Sequence, residues 1–355
     1  MSFYQGKKIT VGIYGESHSE EIGAIITGIP KGIRTDFDRL YKDLARRSPK
    51  GKVGATERIE EDKPEFRSGI KKYITTGELI DIAFANKDIK PDDYNELKNV
   101  PRPGHCDLAA YMKYGYNIPG GGQFSGRMTA PLCVAGWLAK EVLKQEGTYF
   151  LSRILSVGDI TDDMPLSDDI LNRSFPTMSE QRGEEIKELI LKTKEEGDSI
   201  GAVVQCMVIN PPARLGGALF DGMEGKIANL VFSIPAVKGV DFGLGFDFSN
   251  AYGSEVNDSY RYIDGNFTIE SNYCGGVLGG ITIGSPINFM VAVKPVPSIS
   301  LPQETVDLEK KRNKTITIAG RHDTCLAERI LPCIEAAAAI AICDEYLADL
   351  DDEDA

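Results

Sequence analysis

Histidine is scarce in this 355-residue chain, with three in all, at positions 18, 105 and 322. Tryptophan occurs once, and no two cysteines have Cys-x-x-Cys spacing. The seven cysteines (106, 133, 206, 274, 325, 333 and 343) are odd in number, which fits neither a disulfide framework nor a zinc ribbon. A reducing, cytoplasmic setting is the natural reading. No apolar run has the length of a membrane span, and the longest, around 334–343, is alanine-rich and broken by Glu335. The opening Met1 to Lys8 lacks the apolar core of a signal peptide. Basic residues are also in deficit, 40 against 53 acidic ones for a net charge of -13, and a surface built for phosphate backbones needs the opposite balance. Neither a nucleic acid nor a membrane is expected as a partner. What remains is a globular chain, 42% hydrophobic and 26% charged, long enough to bury a substantial core.

The few histidines sit in polar, glycine-containing stretches beside carboxylates: Gly15-Glu16-Ser17-His18, Gly104-His105-Cys106-Asp107 and Gly320-Arg321-His322-Asp323. Histidine titrates near neutrality, so a sparse residue confined to loops is a candidate proton carrier. No two of the three share a helical turn, and no metal site is expected from them. Arginines cluster around them. Arg46 and Arg47 close a predicted helix, Arg102 lies three residues before His105, Arg127 follows Gly120-Gly121-Gly122, and Arg321 adjoins His322. Any one of these reads as solvated surface charge. Together, planar donors beside glycine-rich turns suit a polyanionic small molecule.

Periodicity predicts strands over 9–15, 23–30 and 200–209, with two bent strands over 281–293. A helix follows Thr35, taken as its N-cap with Asp38 at the capping-box position, and buries Phe37, Leu40, Tyr41 and Leu44 on one face. An amphipathic outer helix is predicted over 183–196. Residues 130–144 and 326–350 are apolar on nearly all sides, as in helices buried all round. The elements lack regular β-α alternation. The fold class is therefore α+β, a helical core sandwiched between antiparallel β-sheets, as one domain over 1–350 with an acidic frayed tail at 351–355.

The run Gly120-Gly121-Gly122-Gln123-Phe124-Ser125-Gly126 misses the Rossmann spacing, and tight-turn glycines are the plain alternative. A buried-looking helix begins just after it, whose free amides suit an anion. In order along the chain stand GESH (15–18), LARR (44–47), SG (68–69), TTG (75–77), RPGH (102–105), GGG with SGR to Arg127, GDSIGA (197–202), SIPAVKG (233–239), LGG (278–280), KP (294–295) and GRHD (320–323). The chain resembles chorismate synthase over about 12–347.

That resemblance implies a lyase converting 5-enolpyruvylshikimate 3-phosphate to chorismate and phosphate, with reduced FMN that is not consumed. It implies a homotetramer as well. It assigns His18 to the departing phosphate, His105 to protonation of the flavin, and Asp323, with the flavin N5, to removal of the ring proton. Arg46, Arg47, Arg102, Arg127 and Arg321 would hold the substrate's anionic groups. Flavin contacts would come from Ser125, Ala236, Gly279, Lys294, Ser298 and Arg321, with His322 orienting the loop of Asp323. The chain departs from the pattern at Ser19, Ser48, Val53, Gln123, Pro235, Pro297 and Thr324, which implies weaker ligand binding, with Lys50 and Lys52 available as partial replacements. Two other readings are a flavin-binding paralogue without lyase activity and an NADPH-dependent flavin reductase. NADPH would serve as reductant in the latter.

Overall fold

The computed structural model describes residues 1–56, 62–86, 99–116, 119–318 and 322–353. Two five-stranded sheets form the outer layers. The first runs Ser2–Gln5, Thr10–Gly15, Glu21–Thr27, Ile80–Ala85, Glu65–Phe66 in spatial order, and the second Val237–Phe242, Ile287–Val293, Ala202–Ile209, Tyr149–Val157, Ile160–Thr161. Every pairing in both is antiparallel. Alternation decides which face turns inward. Val204, Cys206 and Val208 stand opposite Val291, Phe289 and Ile287, and all six are fully buried on one face of the second sheet.

Those faces close on helices. Thr129–Leu143 packs on the first sheet and the C-terminal helix Ala327–Glu353 on the second, and the two pack on each other. In Thr129–Leu143 every residue except Lys140 is buried, as the unbroken apolar pattern requires. The contact is backbone-close, because a Cβ on Gly136 would lie 2.2 Å from that of Ala336. Cys133 and Cys333, one turn earlier in each helix, have sulfurs 3.8 Å apart, so the helices run in the same direction. The result is the α+β sandwich expected, with one buried cluster spanning both sheets.

Local differences have identifiable causes. The first helix, Phe37–Arg47, is capped by Asp36, whose Oδ1 accepts from Asp38 N at 3.1 Å and Arg39 N at 3.3 Å. Thr35 is not the cap, since its hydroxyl donates to Tyr73 O at 2.9 Å. Tyr41 is exposed, while Leu40 and Leu44 are buried. At the far end the C-terminal helix continues through Glu353, with Lys8 paired to Asp351. Helices at Asp107–Tyr114 and Met223–Phe232, and the strand Tyr149–Val157, were not anticipated from the pattern.

Candidate active site

Three glycines in a row do something only glycine can do here. Gly120, Gly121 and Gly122 have φ of 63°, 82° and 47°, in the left-handed region that side chains disfavour. A Cβ on Gly120 would lie 2.2 Å from His18 Cε1, so the bare backbone lets the ring lie against it. The two loops are tied by Ser17 N donating to Gly122 O at 3.2 Å. The fully buried Ser17 hydroxyl donates to Gly120 O at 3.3 Å and lies 2.8 Å from His18 Nδ1.

These loops form one wall of a cleft of about 910 Å³. Its floor is where the two buried helices begin, at Thr129 and Leu132 of one and at Leu326, Arg329, Ile330 and Cys333 of the other. Because the helices are parallel, both positive dipole ends meet the same space. His18, His105, His322, Arg47, Arg102, Arg127 and Asp323 all line the cleft, as do Ser125, Ala236, Lys294 and Ser298. Among the described residues the lining holds six lysines and arginines (Arg47, Arg102, Arg127, Lys238, Lys294 and Arg329) and a single carboxylate, Asp323. An acidic protein has concentrated cations in one place.

Two residues singled out from the sequence do not line it. Arg46 turns to Glu335, donating from Nη1 at 3.0 Å and Nη2 at 2.5 Å, and to Ser152 Oγ at 3.0 Å. Consecutive helical residues point about 100° apart, so Arg46 and Arg47 cannot serve the same space. Gly279 occupies the turn between Val277–Leu278 and Ile281–Thr282, with φ of 61°. Arg321 lies outside the described residues.

Carboxylates behind the lining hold the arginines; Asp62 was missed, and Asp107 was read only as a neighbour of His105. Asp107 binds Arg102 through Nε at 2.7 Å and Nη2 at 2.9 Å. Asp62 binds both Arg47 and Arg127. Asp323 in turn accepts from Thr56 N at 3.0 Å, and both of its oxygens accept from Arg329, whose Nε donates to Arg47 O at 3.1 Å. Arg47 is 4% exposed, and its Nε finds no partner among the described residues. Lys294 donates to Gly104 O at 2.5 Å, and burial, then Lys238, lowers its pKa.

His105 Nε2 lies 2.8 Å from Ser298 Oγ. Burial first, then the Arg102 charge with smaller contributions from Lys294 and His322, lowers its pKa from 6.5 to about 4, against the opposite pull of Asp107. The folded protein thus prefers neutral imidazole. Its stabilising contribution is complete above pH 6.5 and is lost progressively as pH falls toward 4, because the unfolded chain takes up the proton first. Melting temperature across that window should fall less steeply in His105→Asn than in the parent. Parallel curves would contradict the assignment.

The departures divide by position. Gln123, Pro235 and Pro297 line the cleft, whereas Val53 is half-buried against the core and does not line it. Lys52 is engaged with Glu328 at 2.7 Å, and Lys50 is exposed.

Comparison with known proteins returns one family. A family model described as chorismate synthase matches residues 9–347. The chorismate synthase of Pyrococcus abyssi is 42% identical over 347 residues, covering 97% of each chain. That of Korarchaeum cryptofilum is 40% identical over 348 residues, covering 96% of each. A crystal structure of chorismate synthase aligns with a TM-score of 0.73 at 25% identity, covering 98% of this chain and 94% of that one.

Proposed function

This chain belongs to the chorismate synthase family, and from that premise we propose how the cleft's residues divide the work of the lyase. Forming chorismate from 5-enolpyruvylshikimate 3-phosphate expels phosphate and removes a ring proton. The observation that carries the assignment is one cleft lined by six cations and a single carboxylate, among the described residues, together with His18 and His105.

Arg47, Arg102 and Arg127 bind the substrate's two carboxylates and phosphate, with Arg321 assigned by family likeness alone. Arg46 serves the core. His18 protonates the leaving phosphate oxygen. Since the Ser17 hydroxyl donates to Gly120 O, it accepts from His18 Nδ1, which makes Nε2 the nitrogen that exchanges the proton. Asp323, oriented by Arg329 and Thr56 N, assists removal of the ring proton.

The cleft also suits reduced FMN. A Cβ on Gly126 would meet nothing within 4 Å, and one on Gly121 would meet only Ser125 Cβ at 3.8 Å, so both backbones border open space. Ser125, Ser298 and Lys294 offer polar contacts, Ala236 its backbone, and Leu132, Ile234, Val237 and Ile330 the apolar surface a flat ring needs. When bound, the reduced flavin lends electron density to the substrate as phosphate leaves. His105, with Nε2 2.8 Å from Ser298 Oγ, would be the proton partner of the cofactor, a role assigned by family likeness. Gly279 would contribute only from outside this lining.

The test is chorismate formation with chemically reduced FMN, with and without NADPH. Product without NADPH is expected. FMN should also raise the melting temperature, more so with substrate present. A raised melting temperature without chorismate would favour the flavin-binding paralogue, an unchanged melting curve would favour a different cofactor or none, and flavin reduction by NADPH without chorismate would favour a reductase. The assembly is proposed to be a homotetramer, and light scattering showing a monomer at micromolar concentration would count against it.

A further inference from the structure

Arg47 and Arg127 share one carboxylate that is remote from both in sequence. Asp62 is 15 residues from the first and 65 from the second, and its side chain is 5% exposed. Oδ2 accepts from Arg47 Nη2 at 2.6 Å, and Oδ1 accepts from Arg127 Nη1. Burial would raise the Asp62 pKa, but the two guanidiniums outweigh it and hold the carboxyl below its usual range. Asp62 does not line the cleft, whereas both arginines do.

Further contacts complete the support. Arg47 Nη1 donates to Thr129 Oγ1 at 3.3 Å and Gly126 O at 3.5 Å. Arg127 Nε donates to Asn86 Oδ1 at 3.1 Å, and its guanidinium lies 5.8 Å from the centre of the Phe84 ring. We infer that Asp62 is a positioning residue that sets the spacing of the two guanidiniums so that one anionic group of the substrate binds across the pair. The inference rests on the reading above that Arg47 and Arg127 bind substrate. Two long, flexible cations are ordered before the ligand arrives, so binding does not carry that ordering cost. The opposite role, a carboxylate competing with substrate for the same donors, would place Asp62 on the cleft surface instead of behind it.

Steady-state kinetics of Asp62→Asn, Arg127→Gln and the double variant, with reduced FMN supplied, test this. Asparagine keeps the shape but presents an amide N–H to a guanidinium. The Michaelis constant for substrate should rise on the order of tenfold with turnover changed much less, as for interactions equal in ground and transition states. Added to Arg127→Gln, the same change should have a much smaller effect. Asp62→Glu, which keeps the charge, should raise the Michaelis constant less than Asp62→Asn does, and supplies a second comparison if the asparagine variant folds poorly. An unchanged or lower Michaelis constant in Asp62→Asn, or equal effects with and without Arg127, overturns the positioning role. A normal Michaelis constant in Arg127→Gln alone would instead overturn the substrate-binding reading beneath it.

Discussion

Turnover of His18→Ala, measured with substrate and reduced FMN saturating, is expected to be roughly 10²- to 10⁴-fold below the parent, the usual loss when a general acid is removed. His105→Ala should fall in the same range. The case for His18 is geometric. Its ring is pinned between the Ser17 hydroxyl and a backbone position, Gly120, that no side chain could occupy. The ring is half-buried in a loop and spans no part of the core, so its loss should leave the fold intact. His18→Asn keeps a hydrogen-bonding group that cannot serve as a general acid, and should be nearly as slow. Near-normal turnover in His18→Ala with a normal melting curve would remove His18 from the chemistry.

The largest stability effect should come from Glu335, far from any ligand. It is 2% exposed and sits in the C-terminal helix, where it accepts from Arg46, from Lys140 Nζ at 2.7 Å and from Ser152. It thus joins the first helix, the helix Thr129–Leu143 and the strand Tyr149–Val157. Burial alone would raise its pKa, but Arg46 and Lys140 hold it well below the usual 4.5. Removing one partner of a buried ion pair typically costs 3–5 kcal/mol. Asp43 also pairs with both Arg46 and Lys140, at 3.1 and 2.8 Å, so Glu335→Ala should lie near the lower limit, about 3 kcal/mol by denaturant unfolding. The sign with pH follows from the lowered pKa. Stability from Glu335 is present above pH 4.5 and is lost as the medium is acidified, so the gap between parent and variant should narrow at low pH. A cost below 1 kcal/mol would mean that Asp43 suffices alone.

Helices buried all round were legible because apolar residues leave no polar stripe, and the strands because Val204, Cys206 and Val208 recur with period two. The glycine run and the histidine loops were legible as site elements because their residue types are chemically specific. The pairs that arm the site were not. Asp62, Asp107 and Arg329 act through contacts that carry no periodic signal, and Asp62 reaches Arg127 across 65 residues. Arg46 misled for a related reason. Adjacency in sequence suggested a shared role, whereas helical geometry sends it to Glu335 and its neighbour Arg47 to the cleft. The cap of the first helix was misplaced by one residue because Thr35 spends its hydroxyl sideways on Tyr73.

The contact of Gly136 with Ala336 bears on how a ligand can reach the cleft. Backbones this close leave no layer of side chains to act as a lubricant between the helices. Sliding one half of the sandwich along the other would drive the Ala336 methyl into main-chain atoms. Shear of that kind is how many enzymes open, and here the seam resists it. Access must then come from the rim, through loops such as those of His18 and His105, while the two helix starts stay put as a fixed floor. Amide exchange should show the same division, with the slowest protons at the Gly136 crossing and faster ones in those loops.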